Sequence, residues 1–354
     1  MTYPIYADFN NKVYKEFSPQ IRQGEYDIVH ALTPMMPRYP FKAIKACQNT
    51  PFLLGPVNGG LPFPEGFKET AKKESANLNF LRAVGRSLIP GYVETYKKAD
   101  RVLAGSTFTL NMLKQSFDLP DRQLELFYEN GIDQEFLNSS QRRKHNDKVN
   151  LLFVGRLVPY KCADVVIEAI SKLDRDTLNK VHLTIVGDGS EKSLLEQQVQ
   201  DLNLGESVHF AGWINQQETL QYYNQSDIFC FPSIREFGGA VVLEAMACGL
   251  PCIVADNGGI AEYISEANGF KIEPISKEYL AKQLTEKIKL LVNNEQLREK
   301  MSINAVERAR EFEWGQKAQK VVGIYEQLIV EKYGLPLQGE REKAIRVPVS
   351  NRAA

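Results

Sequence analysis

The sequence predicts an α/β protein with two parallel sheets, each covered by helices on both faces. Short apolar runs alternate with helical patterns in both halves of the chain. The charged, weakly apolar segment Gln141–Lys148 interrupts that alternation once, and a longer set of strand patterns follows it. Sheets of this kind place ligands at the carboxyl ends of their strands, so two such sheets joined by a linker predict a cleft between facing strand ends.

In chain order, residues 9–23 (FNNKVYKEFSPQIRQ) read as a helical approach broken by Pro19. Asp27–Leu32 reads as a strand ending at Thr33-Pro34, and Pro51–Val57 as another that runs into Asn58-Gly59-Gly60, a turn or ligand-approach signal. Residues 65–98 carry a mostly helical pattern in which Lys68, Lys72, Lys73, Arg82, Arg86, Lys97 and Lys98 alternate with apolar positions. Arg101–Ser106 is a strand, Thr107–Phe117 a capped helix, and residues 124–131 one more strand and turn. Past the linker, strands are expected at 150–157, 181–189, 208–213, 228–233, 251–256 and 268–274. Residues 279–332 read as helical, and a late helix with Phe312, Trp314 and Tyr325 is expected to return to the first domain. The polar tail from Pro336 is expected to lack a fold. The resulting domains are 1–145, 146–310, a returning helix 311–332 and a tail 333–354.

A chain of 354 residues accommodates two cores. With 43 Lys and Arg against 44 Asp and Glu, no general attraction to nucleic acid follows. The 5 cysteines form an odd count without zinc-type spacing, which points to a reduced, cytoplasmic compartment. Neither a signal peptide nor a membrane-spanning apolar run is apparent, so a soluble protein, or one peripheral to the inner membrane face, is expected.

The most informative stretch is REFGGAVVLEAMACGLPCIVADN, residues 235–257. Glu236 precedes a Gly238-Gly239 pair, and a helix of strong formers follows from Ala240 to Cys248 with Glu244 inside its apolar run. Gly249 and Pro251 end that helix, and Cys252–Ala255 reads as a buried strand. A carboxylate among such neighbours needs hydrogen-bond donors. Two carboxylates eight residues apart suit different parts of a long polyhydroxyl ligand, about 12 Å apart if the segment were helical throughout. The glycine pair admits a phosphate to the helix start. The plainer alternative makes Glu236 a loop acid facing the helix dipole and Glu244 a solvated position. A second constellation weighs against it. In VGRLVPYKCAD, Gly155-Arg156 ends a strand and Lys161 opens the next helix, so two cations at one turn can face a single diphosphate.

Other signals carry less. Asp174-Arg175-Asp176 matches a metal-binding triplet but lies in a polar helix end, and no metal is expected. Gly187-Asp188-Gly189 lacks the third small residue of a dinucleotide fingerprint, since Lys192 stands there. His182 and His209 read as core or edge residues, and His145 falls in the linker.

Together, GRLVPYK, VGDGS, HFAGW, EFGGAVVLE, EAMACGLPCIVAD and NGGIAEYI resemble the retaining nucleotide-sugar glycosyltransferases of glycosyltransferase family 4. The resemblance covers roughly residues 25–330 and implies the GT-B fold, two facing Rossmann-like domains. It implies that Arg156 and Lys161, after Gly155, hold the donor diphosphate, and that Glu244 accepts ribose hydroxyls. Glu236 and the backbone of Phe237, Gly238, Gly239 and Ala240 would lie against the donor sugar and phosphates, and Gly212-Trp213-Ile214 would border the base. Arg156, Lys161 and Glu236 are then the catalytic candidates. No resident cofactor is implied; the nucleotide diphosphate sugar is a substrate.

Two departures concern the first half. The family's opening strand, Gly-rich loop and helix have no counterpart, so either the sequence given starts late or the N-terminal domain is incomplete; an incomplete domain would be poorly soluble alone or partnered. An acid/base histidine that many members carry is replaced near Val57-Asn58-Gly59, leaving Asn58, Gly59 and His30, at a strand end facing the cleft, as acceptor-side candidates. The expected function is transfer of a hexose to a hydroxyl of a saccharide or lipid-linked saccharide; residues 67–98 read as a solvated helical face, with contact to an anionic membrane surface as the alternative. The alternative is a catalytically weak donor-binding partner subunit; an epimerase on the same fold is a further one.

Overall fold

The computed structural model describes residues 3–32, 39–74, 89–139 and 148–334. Thr33-Pro34, the middle of the basic segment (75–88), linker residues 141–147 with His145, and the tail from Pro336 lie outside the described residues.

The described residues form two parallel sheets. The first holds β1 (Val29–Ala31), β2 (Phe52–Val57), β3 (Arg101–Ala104) and β4 (Leu124–Leu126), side by side in that order. The second holds β5 (Val149–Val154), β6 (Val181–Val186), β7 (Val208–Gly212), β8 (Ile228–Phe231), β9 (Cys252–Ala255) and β10 (Gly269–Ile272), ordered β10-β9-β8-β5-β6-β7. All pairings are parallel. Helices cover both faces, which explains why the central strands are apolar throughout: Leu151–Phe153, Ile228–Phe231 and Cys252–Ala255 have no exposed surface. The order reverses between β5 and β8, so their following loops open a crevice at the strand ends.

Local signals account for most element ends. Ser106 accepts from the Thr109 N–H at 3.2 Å and starts the helix Thr107–Phe117. Gly249, at φ +75, lies just beyond the helix Ala240–Ala247. Pro19 departs from expectation: the first helix runs unbroken from Tyr3 to Gln23. Lying in the last turn and a half, Pro19 removes only one late hydrogen bond, while Tyr6, Asn10, Ser18 and Ile21 anchor the buried face.

The last helix, Trp314–Tyr333, returns to the first domain. Ile324 and Leu328 pack on Leu53 and Leu103, Arg101 pairs with Glu331 at 3.3 Å, and Lys332 pairs with Asp100 at 3.2 Å. Phe312 lies just before this helix rather than within it. There the Ile132 N–H donates to the Phe312 carbonyl at 2.9 Å and ties the chain beside β4.

Candidate active site

The crevice between β5 and β8 brings the two constellations together. After β5, Gly155 approaches the Phe231 ring, and the chain makes a 3-10 turn, Pro159–Lys161, instead of entering a helix directly at Lys161. The Ile234 N–H donates to the Tyr160 carbonyl at 3.0 Å and joins the two loops. Lys161 is buried; its ammonium pairs with Glu236 and stands 4.9 Å from the Phe231 ring centroid. The Ser233 hydroxyl donates to the same Glu236 oxygen at 3.3 Å. Arg156 is exposed at the mouth, where its guanidinium donates to the Tyr160 hydroxyl and lies 5.9 Å from that ring centroid.

The GDG turn buttresses this loop. The Leu157 N–H donates to the Asp188 carbonyl at 2.9 Å, and a Cβ at Gly187, φ +142, would stand 1.9 Å from the Gly155 carbonyl oxygen. Gly187→Ala is therefore expected to destabilise the protein by at least about 2 kcal/mol. Chemical denaturation would measure the shift; an unchanged midpoint would contradict this packing.

Glu236 pairs in a bridge with Gly258, and Phe237, Gly238 and Gly239 lead into the helix that opens at Ala240. Gly239 takes φ +55 and supplies no capping side chain. Only the second half of the Glu236–Glu244 interval is thus helical. Glu244 is 7 % exposed, which overturns the solvated alternative. It accepts from the Tyr223 hydroxyl at 2.9 Å and from the Gln216 amide at 3.1 Å, and burial pushes its pKa up. Both partners lie on the helix Gln216–Gln225, which follows Gly212-Trp213-Ile214 and is capped by Asn215. Gly212 has φ +76 and Trp213 is 74 % exposed, so the region expected at the base is tied to Glu244 through Gln216.

The first sheet faces this crevice. The Arg235 side chain donates to the Leu61 carbonyl at 3.2 Å, and Glu262 accepts from the Thr107 N–H and hydroxyl at 2.9 and 2.8 Å. Asn58 and Gly59 lie at the end of β2, where Asn58 Oδ1 accepts from Ser106 at 3.0 Å and Thr109 at 2.6 Å. The Gly59 N–H donates to the Thr109 hydroxyl at 3.1 Å. His30 does not face the cleft: it lies under the last helix, Nδ1 at 2.6 Å from the Tyr325 hydroxyl and Nε2 at 2.6 Å from the Gly55 carbonyl. The Gly55 contact places a proton on Nε2, so Nδ1 accepts from Tyr325. Burial lowers its pKa, and both ring nitrogens serve the packing of this helix.

Several residues were not singled out by the sequence. Tyr160, Gln216 and Tyr223 position the expected site residues, and Glu129, just past β4, stands against Gly238. Its place after a strand end was the one available signal. The metal-like triplet is a helix cap: Asp174 accepts from the Thr177 N–H at 2.9 Å and pairs with Lys289 at 2.6 Å. Among the described residues, no group of three or more His, Cys, Asp or Glu could hold a metal ion. Also among them, no helix is long and apolar enough to cross a membrane.

Residues 134–308 match the family model of glycosyl transferases group 1, and the two facing parallel sheets match GT-B glycosyltransferase structures. The fold is thus of the GT-B type, and residues 134–308 are similar to glycosyl transferases group 1. An uncharacterized glycosyltransferase of Methanocaldococcus jannaschii is 29% identical, over 65% of this chain and 60% of that protein. The mannosylfructose-phosphate synthase of Agrobacterium fabrum is 26% identical, over 73% of this chain and 59% of its own length. The chain thus spans about 60% of the length of these relatives. Among solved structures, Anabaena HepE in complex with UDP superposes with a TM-score of 0.65 at 19% identity, covering 90% of this chain and 82% of that one.

Proposed function

We propose that the chain is a retaining hexosyltransferase that moves a sugar from a nucleotide diphosphate donor to a hydroxyl of a saccharide or lipid-linked saccharide. The observation that carries this reading is the buried Lys161–Glu236 pair at the reversal of the second sheet, opposite the strand ends of the first. Breaking a sugar–phosphate bond develops negative charge on the leaving diphosphate. On this reading Lys161 and Arg156 would stabilise that charge, and the proposal calls on no resident metal or other cofactor. With both sheets contributing to one cleft, the incoming hydroxyl would approach from the side of the departing phosphate, whose oxygen can take its proton. The UDP bound by HepE supports a nucleoside diphosphate donor.

Arg156 tests the reading with little interference from folding, because it is exposed in the loop after β5. Arg156→Ala is expected to lower transfer by about 100-fold while changing stability by less than about 0.5 kcal/mol. Transfer assays with a panel of uridine, guanosine and adenosine diphosphate sugars, in EDTA, supply the measurement. Full activity in Arg156→Ala, or loss of wild-type activity in EDTA, would contradict it. Donor binding with no product would favour the partner-subunit alternative. A peripheral membrane contact belongs to the lipid-linked form of the proposal, through basic positions such as Lys68, Lys72, Lys97 and Lys98. Co-sedimentation with vesicles that ignores anionic lipid would remove it.

A further inference from the structure

Asn58-Gly59-Gly60, which the sequence marks as a turn, is where the chain leaves the first domain. Asn58 and Gly59 are tied to Ser106 and Thr109 beside the first sheet. Gly60 turns at φ +83, and the next side chain, Leu61, is buried beside Gly258 of the second domain. The 3-10 turn Glu65–Phe67 and the helix Lys68–Lys73 follow. Phe67 is buried in the core of the second domain. A Cβ on Gly66 would stand 1.7 Å from the Ile275 carbonyl oxygen, so the backbone itself lies on the loop before the helix Lys277–Asn293. The short helix Lys68–Lys73 packs on the Pro159–Lys161 turn.

A second set of contacts, made by the loop after β8, clasps the same stretch. Arg235, next to Glu236, donates to the Leu61 carbonyl at 3.2 Å, and its guanidinium lies 4.9 Å from the Phe63 ring centroid and 5.6 Å from that of Phe237. Phe63 also packs on the core of the second domain. A segment that opens readily makes few buried apolar contacts, whereas this one sinks a phenylalanine ring into a core and sets its backbone against another. Each of these contacts joins protein to protein and would persist without a ligand.

We propose that residues 61–73 are a strap that holds the first domain on the second before any donor binds, with Phe67 as its anchor and Arg235 as its clasp. Because the strap also rests on the Pro159–Lys161 turn, it keeps that cationic turn in one conformation. The work of closing the cleft and ordering the turn is then done during folding. A ligand entering a site already formed binds more tightly than one that must first shift a population toward it. The attachment is independent of the nucleotide-sugar reading above, and its effect on affinity rests on that reading. Phe67 and Arg235 are positioning residues on this account, acting through the strap.

Gly66→Ala pushes the strap off its seat without touching a charged residue, and Arg235→Met opens the clasp alone. Small-angle X-ray scattering on the full chain, with and without UDP, GDP or ADP, reads the arrangement of the domains; titration calorimetry reads the affinities, and circular dichroism confirms that each variant folds. The wild type should keep its radius of gyration when nucleotide is added. Gly66→Ala should be larger without nucleotide, contract toward the wild-type value with it, and bind it at least about fivefold more weakly, with Arg235→Met in between. A wild type that contracts on nucleotide as the variant does overturns the proposal, and so does a folded Gly66→Ala that matches the wild type in both size and affinity. If Gly66→Ala does not fold, Arg235→Met decides by the same comparison. If the wild type binds none of the three nucleotides, the nucleotide-sugar reading falls, while the sizes of the unliganded wild type and variants still decide whether the strap holds.

Discussion

Lys161→Ala is expected to eliminate detectable transfer and to lower stability by about 3 kcal/mol, more than an ordinary surface lysine would. The side chains of Lys161 and Glu236 are only 11% and 16% exposed, so removing the ammonium strands a carboxylate beside the Phe231 ring. Ser233, at 3.3 Å, remains to it but offers a single neutral donor. Loss of activity alone could therefore reflect loss of the fold. A double variant separates the two causes. Lys161→Met with Glu236→Gln removes both charges and preserves volume, so it should recover most of the lost stability while transfer stays absent. Denaturant melts and donor turnover on the same preparations would check this. Turnover near wild type in either variant would remove the ammonium from the reaction.

The behaviour of this pair also shows what a sequence can and cannot disclose. The strands were legible because a buried parallel strand must be apolar along its whole length, as Leu151–Phe153 and Ile228–Phe231 are. The cationic turn and the acidic stretch were legible because each breaks that apolar pattern at a strand end. Their contact was less so: Lys161 and Glu236 stand 75 residues apart, and only the reversal of strand order joins them. Glu244 behaves alike, since its donors Gln216 and Tyr223 come from the preceding crossover.

Where the reading failed, tertiary contacts decided. Periodicity placed His30 on a strand but not on a face, and the covering residue, Tyr325, arrives 295 positions later. Pro19 was weighed by its intrinsic effect alone, yet near a helix end that effect is one hydrogen bond, which a buried face outweighs. Glu129 carries no motif of its own. What places it at the site is Gly238, supplied by a distant part of the chain.

Glu244 gives the second large effect, and it has a pH signature. Glu244→Ala should weaken donor binding by about 10- to 100-fold, because it removes the acceptor assigned to ribose and leaves the buried Tyr223 hydroxyl and the Gln216 amide without their partner. The wild-type carboxyl has a usual pKa of 4.5, raised in the fold by burial and by Asp133, with Tyr223 and Gln216 opposing the rise. As pH falls through that raised value the carboxyl takes a proton and loses acceptor capacity, so donor affinity should fall along an acid limb lying above 4.5. Stability moves the other way. A folded state that holds the proton more tightly than the unfolded chain loses stability as pH rises from 4.5 through the raised value. Tyr223, whose pKa is pushed well above 10, does not titrate in this window, and Gln216 does not titrate at all. Glu244→Gln should therefore abolish the acid limb and flatten the stability profile together. Donor titrations and denaturant melts across the range would show both changes, and an acid limb that survived in Glu244→Gln would assign it to another carboxylate.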